Sequence, residues 1–292
     1  MARAIFRLRL PDGTTRLATG TTDGGPTDLL APGVTVESLL LAGVSAVADA
    51  ARTATDVPIP EDAILLAPID TQEVWGAGVT YERSRVARME EAVEPSIYDR
   101  VYDAVRPEVF FKSVGWRVRG PAESITVRAD SGWNAPEPEF ALVLTPDLEI
   151  AGYAIGNDVS SREIEGENPL YLPQAKVYER SCAIGPVAVP AWAVDPTSLG
   201  VRLTIVRDGA EVFAGETSVG EIVRPLESLT EHLVRAYPLP VGAWLLTGTG
   251  IVPPADFTLA PGDDVAVAID GLGVLSNRVR LVGRAGPAAP RG

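Results

Sequence analysis

Turn signals recur along this chain at intervals too short for long helices. Asp12-Gly13, Pro146-Asp147, Asp208-Gly209 and the stretch Gly271 to Gly273 each separate two apolar runs that read as strands. Gly and Pro together account for 28 and 25 of the 292 residues, above the average usage of about 12%. Such punctuation predicts many short strands and few, short helices. Phe6, Leu8 and Leu10 alternate with Arg7 and Arg9 in a half-buried strand pattern. Strand pairs are expected at 139–144 with 149–155, 201–206 with 211–214, and 265–269 with 274–281. A helix is expected over 39–51, and helical character over 81–93. Capping-box spacing at Ser96 to Asp99 opens another, with Ile97, Val101 and Val105 on one stripe. A further box, Ser228 to Glu231, opens a helix with Leu229, Leu233 and Val234 inward, ended by Pro238, and the tail 284–292 is expected to fray. The lack of regular strand–helix alternation argues against a doubly wound sheet or a TIM barrel. A proline-rich stretch places a boundary near residue 66, dividing a small N-terminal domain (1–66) from a larger unit (67–292).

Charge narrows the partners. Lys and Arg number 25 against 39 Asp and Glu, a net charge of −14. This disfavours nucleic acid and anionic membrane surfaces. No run approaches the roughly 18 apolar residues of a membrane span, and the start lacks a signal-peptide apolar core. Cys182 stands alone, so no intrachain disulfide is available, and with His232 the one histidine, histidine-based zinc sites are ruled out. The expectation is a soluble cytoplasmic protein.

The chemistry concentrates in residues 133–176. Glu137 and Glu139 are two apart on the approach to a strand, so their side chains share a face. A two-residue turn at Pro146-Asp147 would set Glu139 opposite Ala154, Glu137 opposite Gly156 and Asp158 opposite Ala135. Asp158 would then lie on the glutamates' face, one diagonal step of about 7–8 Å from Glu137. Three carboxylates on one face repel unless neutralised, and an all-oxygen set without nitrogen or sulfur suits Mg²⁺ or Mn²⁺. Solvated charges on an exposed hairpin are the alternative on spacing alone.

The ordered motifs Glu137-x-Glu139, Asn157-Asp158 with Ser160 or Ser161 and Arg162, Lys176, and Thr247-Gly248-Thr249 resemble those of the fumarylacetoacetate hydrolase superfamily over residues 66–282. The resemblance implies an α+β, mainly β fold. This is a mixed β-sandwich roll with a small N-terminal domain, a homodimer or homotetramer, with Glu137, Glu139 and Asp158 holding Mg²⁺. Hydrolases of the superfamily carry a lid histidine after Gly-x-Asn-Tyr, where this chain has Ser84 or Arg85. The stretches VTYERSR, RPEVFFKS and IEGENPLYLPQAKVYERSCAIGP resemble instead the 2-keto-3-deoxy-D-arabinonate dehydratase branch.

That branch converts a 2-keto-3-deoxy-pentonate into 2,5-dioxopentanoate. By resemblance, Glu108 and Lys176 are the catalytic pair, with Glu108 favoured for base chemistry and Lys176 for orienting a carboxylate or shuttling a proton. The segment 81–93 is the lid candidate. Tyr81, Arg83, Ser84, Phe111, Lys112, Ser113 and Thr249 are expected to meet the 2-keto acid. Competing readings are a hydrolase, decarboxylase or tautomerase of an acylpyruvate on the same fold, and a non-catalytic metal-stabilised β-protein.

Overall fold

The computed structural model describes residues 1–91, 96–233, 235 and 237–284. In chain order the strands are β1 (Arg3–Arg9), β2 (Thr15–Thr21), β3 (Gly25–Leu29), β4 (Ile64–Leu66), β5 (Glu73–Gly78), β6 (Glu108–Val114), β7 (Ser124–Arg128), β8 (Asn134–Ala135) and β9 (Pro138–Leu144). They continue with β10 (Ile150–Asp158), β11 (Ser160–Ser161), β12 (Cys182–Pro190), β13 (Gly200–Arg207), β14 (Ala210–Ser218), β15 (Ala243–Leu246), β16 (Asp264–Ile269) and β17 (Gly273–Val282). The helices are α1 (Val36–Leu41), α2 (Val44–Arg52), α3 (Glu82–Glu91), α4 (Ser96–Asp103), α5 (Arg162–Glu167), α6 (Leu172–Lys176) and α7 (Leu226–Leu233).

A ten-stranded mixed sheet runs β3-β2-β1-β12-β10-β9-β15-β5-β6, with β4 paired to β1. A five-stranded sheet runs β14-β13-β16-β17-β7, and β8 pairs with β11. The fold is the expected mainly-β α+β roll. The strands of 1–66 extend the large sheet, β1 meeting β12 at Ile5 and Ala188.

β9 explains the layering. All seven of its residues are buried, as in a strand covered on both faces. Phe140, Leu142 and Leu144 point into one core shared with Val201, Leu203, Ile205, Val265, Val267 and Leu275 of the small sheet. Ala141 and Val143 point into a second core with Leu40, Val47, Ala51 and Trp244, under α1 and α2. The Asp208-Gly209 turn has φ of 52° and 82°, the left-handed pair that a two-residue hairpin demands.

Several local expectations change. The helix expected over 39–51 is two helices, broken at Gly43, whose φ of 90° no helix accommodates. α7 begins at Leu226, so Ser228 lies inside it and its carbonyl meets His232 Nδ1 at 2.8 Å. Leu229 and Leu233 point inward as expected, and Val234 lies outside the described residues, as do 92–93 of the lid segment and 285–292 of the tail. α4 ends at Asp103, leaving Val105 exposed and off its stripe.

The central hairpin departs from the two-residue turn in a way that matters for the site. Thr145 and Glu149 close a three-residue loop, with Leu148 at φ 67°, and a bulge follows between Ile150 and Gly152. Glu139 therefore pairs with Gly156 and not with Ala154. Asp158 comes directly opposite Glu137, its N–H donating to the Glu137 carbonyl at 2.9 Å.

Candidate active site

β9, β10 and the turn after β15 converge at one end of the large sheet. Ligand oxygens of Glu137, Glu139 and Asp158 lie within 4.8 Å of one another, all three side chains buried. Gly248, at φ 90°, stands where a Cβ would collide with the Thr80 hydroxyl. Its N–H donates to Glu139 Oε2 at 2.6 Å and aims that carboxylate.

Four cations surround the triad. Lys176 Nζ donates to Glu137 Oε1 at 2.8 Å, Asp158 Oδ2 at 3.0 Å and Ser160 Oγ at 2.8 Å. Lys112 Nζ pairs with Asp158 Oδ1 and donates to the carbonyls of Val159 at 3.1 Å and Lys176 at 2.6 Å. Arg88 Nη2 lies 2.9 Å and Arg162 Nη2 3.3 Å from Glu137 Oε1. The carboxyls of this cluster are Glu91, Glu108, Glu137, Glu139, Asp158 and Glu165. Six carboxyls against four cations leave an excess of acidic groups that a divalent ion could draw into the ionised form.

The electrostatics agree. Burial pushes the Glu137 carboxyl up, but the charges of Lys176 and Arg88 outweigh it and hold Glu137 down at about 2. Burial, then the charges of Asp158 and Glu137, push Glu139 well above the carboxylate range, a repulsion that a cation between the three would relieve. The residues present fit a hard divalent cation. Burial alone would lower Lys176, yet Asp158, Glu137 and Glu165 raise it above the ordinary lysine range. It is an ammonium with all three N–H groups engaged.

Glu108 opens β6 opposite Gly78 of β5, where any Cβ would collide with the Glu108 carboxylate. Burial, followed by the charge of Glu165, raises its carboxyl to about 7. Glu108, Lys176, Glu137, Glu139, Ser84 and Thr249 line one small cavity of about 20 Å³. Thr249 Oγ1 also caps its own turn, accepting from Ile251 N–H at 3.2 Å.

The other expected contact residues lie elsewhere. Lys112 is fully buried beneath Asp158, its donors all used. Phe111 turns to the opposite face of β6 and packs edge-on against Trp75 with centroids 5.7 Å apart. Ser113 is buried beside Val114. Tyr81 is buried against Gly250 and caps α3, its N–H donating to Ser84 Oγ at 3.3 Å. Arg83 faces a separate cavity on the outer side of α3. Sequence reasoning missed Arg88, Phe110 and Glu165, which line the same cavity as Glu108 and Lys176. The i,i+3 spacing of Arg162 and Glu165 on a buried turn was the available signal for Glu165.

Residues 73–280 match the family model for the fumarylacetoacetate (FAA) hydrolase C-terminal region. The chain belongs to the fumarylacetoacetate hydrolase family. A probable 2-keto-3-deoxyxylonate dehydratase of Haloferax volcanii is 48% identical over 238 residues, covering 80% of this chain and 82% of the relative. A 2-dehydro-3-deoxy-D-arabinonate dehydratase of Saccharolobus solfataricus is 46% identical over 218 residues, 73% of each chain. A solved structure of 2-keto-3-deoxy-D-arabinonate dehydratase complexed with magnesium and 2,5-dioxopentanoate aligns with TM-score 0.83 at 34% identity, covering 97% of this chain and 100% of that one. Among the described residues no helix is long and apolar enough to cross a membrane.

Proposed function

We propose that this chain is a magnesium-dependent dehydratase that converts a 2-keto-3-deoxy sugar acid of the 2-keto-3-deoxy-D-arabinonate type into 2,5-dioxopentanoate and water, in pentose catabolism. One observation carries the reading. Two members of an oxygen-only carboxylate triad, Glu137 and Glu139, line one small cavity with Glu108, a carboxyl raised to about 7. Glu137, Glu139 and Asp158 would hold Mg²⁺ or Mn²⁺, which when bound supplies Lewis-acid polarisation of a 2-keto carbonyl.

Glu108 is the proton-transfer group. With a carboxyl near 7 it exists in both forms at neutral pH, as a general acid–base should. As carboxylate it takes a proton from C3, and the C3–H electron pair becomes the C3–C4 double bond as the C4–O bond breaks. The same proton, returned to the departing hydroxyl, leaves as water. Isomerisation of the resulting allylic alcohol to the aldehyde then moves protons only. Lys176, its three donors engaged, positions Glu137 and Asp158. The raised pKa of Lys176 supports this role over a base. Ser84 and Thr249 are the contact residues that the cavity lining supports.

The proposal includes a cytoplasmic homodimer or homotetramer, with residues 1–66 as a small N-terminal domain. Light scattering tests the oligomeric state. Incubation with 2-keto-3-deoxypentonate and Mg²⁺ should yield an aldehyde product. Cleavage of an acylpyruvate, with no aldehyde from the sugar acid, would replace this reading with a hydrolase.

A further inference from the structure

Helix α3 is attached to the site in an unusual way. Of its ten residues only Ser84, Ala87 and Arg88 are buried, with Val86 and Met89 half-buried, so one methyl group is its only fully buried apolar side chain. Its anchorage is ionic. Arg88 Nη1 donates to Glu91 Oε2 at 3.0 Å, and Arg162 Nη1, from α5, donates to the same oxygen at 2.8 Å. The second terminal nitrogens of both arginines converge on Glu137 Oε1, at 2.9 and 3.3 Å. The contacts close a ring, Glu91–Arg88–Glu137–Arg162, whose side chains are all 10% exposed or less. It ties α3 to β9 and α5.

The space on the two sides of α3 is unequal. The inner cavity of about 20 Å³ has room for one ion or water and not for a five-carbon acid. On the outer side, Arg83, Ala87, Glu90 and Glu91 border a cavity of about 410 Å³ closed by Trp133 and residues 252–255.

We propose that Glu91 is a positioning residue, the keystone of an ion ring that latches α3 shut over the catalytic cavity, and that substrate enters when the ring opens and α3 swings into the outer cavity. Glu91 touches no reacting atom. It lies between two guanidinium groups; without it Arg162 keeps Glu137, and Arg88 keeps Glu137 and Glu165, whose Oε2 lies 3.3 Å from its Nη2. Removing one partner of a buried ionic cluster leaves charge uncompensated, and here α3, with Ala87 its one fully buried apolar side chain, gives way. The kinetic consequence rests on the dehydratase reading; the latch does not.

Limited trypsin digestion of the full chain, in chelator, tests the latch without activity, with the cut bonds located by mass spectrometry. Cleavage after Arg83, Arg85 or Arg88 reports opening of α3, because the rate follows the population of the open form. Glu91→Ala should speed these cuts by about tenfold or more, with cuts elsewhere unchanged and the melting temperature lowered by no more than a few degrees. Glu91→Asp, which keeps the carboxylate, should restore most of the protection. Glu91→Gln serves if the alanine variant folds poorly, and the exposed neighbour variant Glu90→Ala should leave the cuts unchanged. With 2-keto-3-deoxypentonate, Glu91→Ala should change KM more than kcat. Unchanged cleavage of α3 in Glu91→Ala and Glu91→Gln would overturn the latch. Faster cleavage in a chain that shows no dehydratase activity would leave the latch standing and remove the functional reading.

Discussion

Replacing Glu108 by Gln should make the protein more stable while it destroys turnover. The Glu108 carboxyl stands at about 7 against an ordinary 4.5 because burial, then the charge of Glu165, penalises its ionised form. At roughly 1.4 kcal/mol per pH unit, this costs the folded state about 3 kcal/mol once the group is fully ionised. The sign follows from proton counting. Between 4.5 and 7 the folded chain holds a proton that the unfolded chain has lost, so this group's contribution to stability falls as pH rises through that window. Below 4.5 the carboxyl is protonated in both states and the penalty vanishes. The amide of the Glu108→Gln variant is neutral throughout.

In chelator, Glu108→Gln should therefore be more stable than the parent by about 3 kcal/mol at pH 8 and equal to it near pH 4. Urea melts at the two pH values measure the difference. The same variant should lose about 10²–10⁴ in kcat, and the parent's kcat/KM should rise along an acid limb as Glu108 ionises. A variant that is destabilised at pH 8, or whose stability difference does not change with pH, would refute the argument that Glu108 is held poised against its own ionisation.

Four further outcomes are expected. Chelator should abolish activity and Mg²⁺ or Mn²⁺ should restore it, with Glu137→Gln weakening Mg²⁺ binding by calorimetry while the two apolar cores keep the chain folded. Gly78→Ala, which drives a methyl into the Glu108 carboxylate, should lower kcat by about tenfold or more with a small change in melting temperature. Lys176→Met leaves Glu137 and Asp158 without their shared ammonium, and should cost about 3–5 kcal/mol in urea melts besides abolishing turnover. His232→Ala should leave kcat within about twofold, because its Nδ1 meets the Ser228 carbonyl on α7 and it is absent from the cavity wall.

The strand pattern was legible in the sequence because it is local. Turn residues and alternation act within a few residues of each other, so the hairpins about Asp208-Gly209 and Gly271 to Gly273 stand where their punctuation put them. The shared face of Glu137, Glu139 and Asp158 was also legible, but through two departures that cancel. The loop after β9 has one residue more than a two-residue turn, and the bulge in β10 adds another. Either alone would have put Asp158 on the opposite face; together they restore the face and move Asp158 from a diagonal position to one directly opposite Glu137. Neither departure has a signature outside the folded sheet.

What the tertiary structure decided lies between elements far apart in the chain. Phe111 and Lys112 sit side by side in sequence, yet one packs on Trp75 and the other lies beneath Asp158. Both follow from where β6 lies at the sheet edge. Arg88 and Glu91 read as ordinary charges on a polar helix. Only the approach of α3 to β9 and α5 buries them and turns solvated side chains into an ionic ring on Glu137. Local rules fix which way a side chain points from its own strand or helix, while its partner, its dielectric and hence its pKa are set by whatever the fold brings within a few ångströms of it.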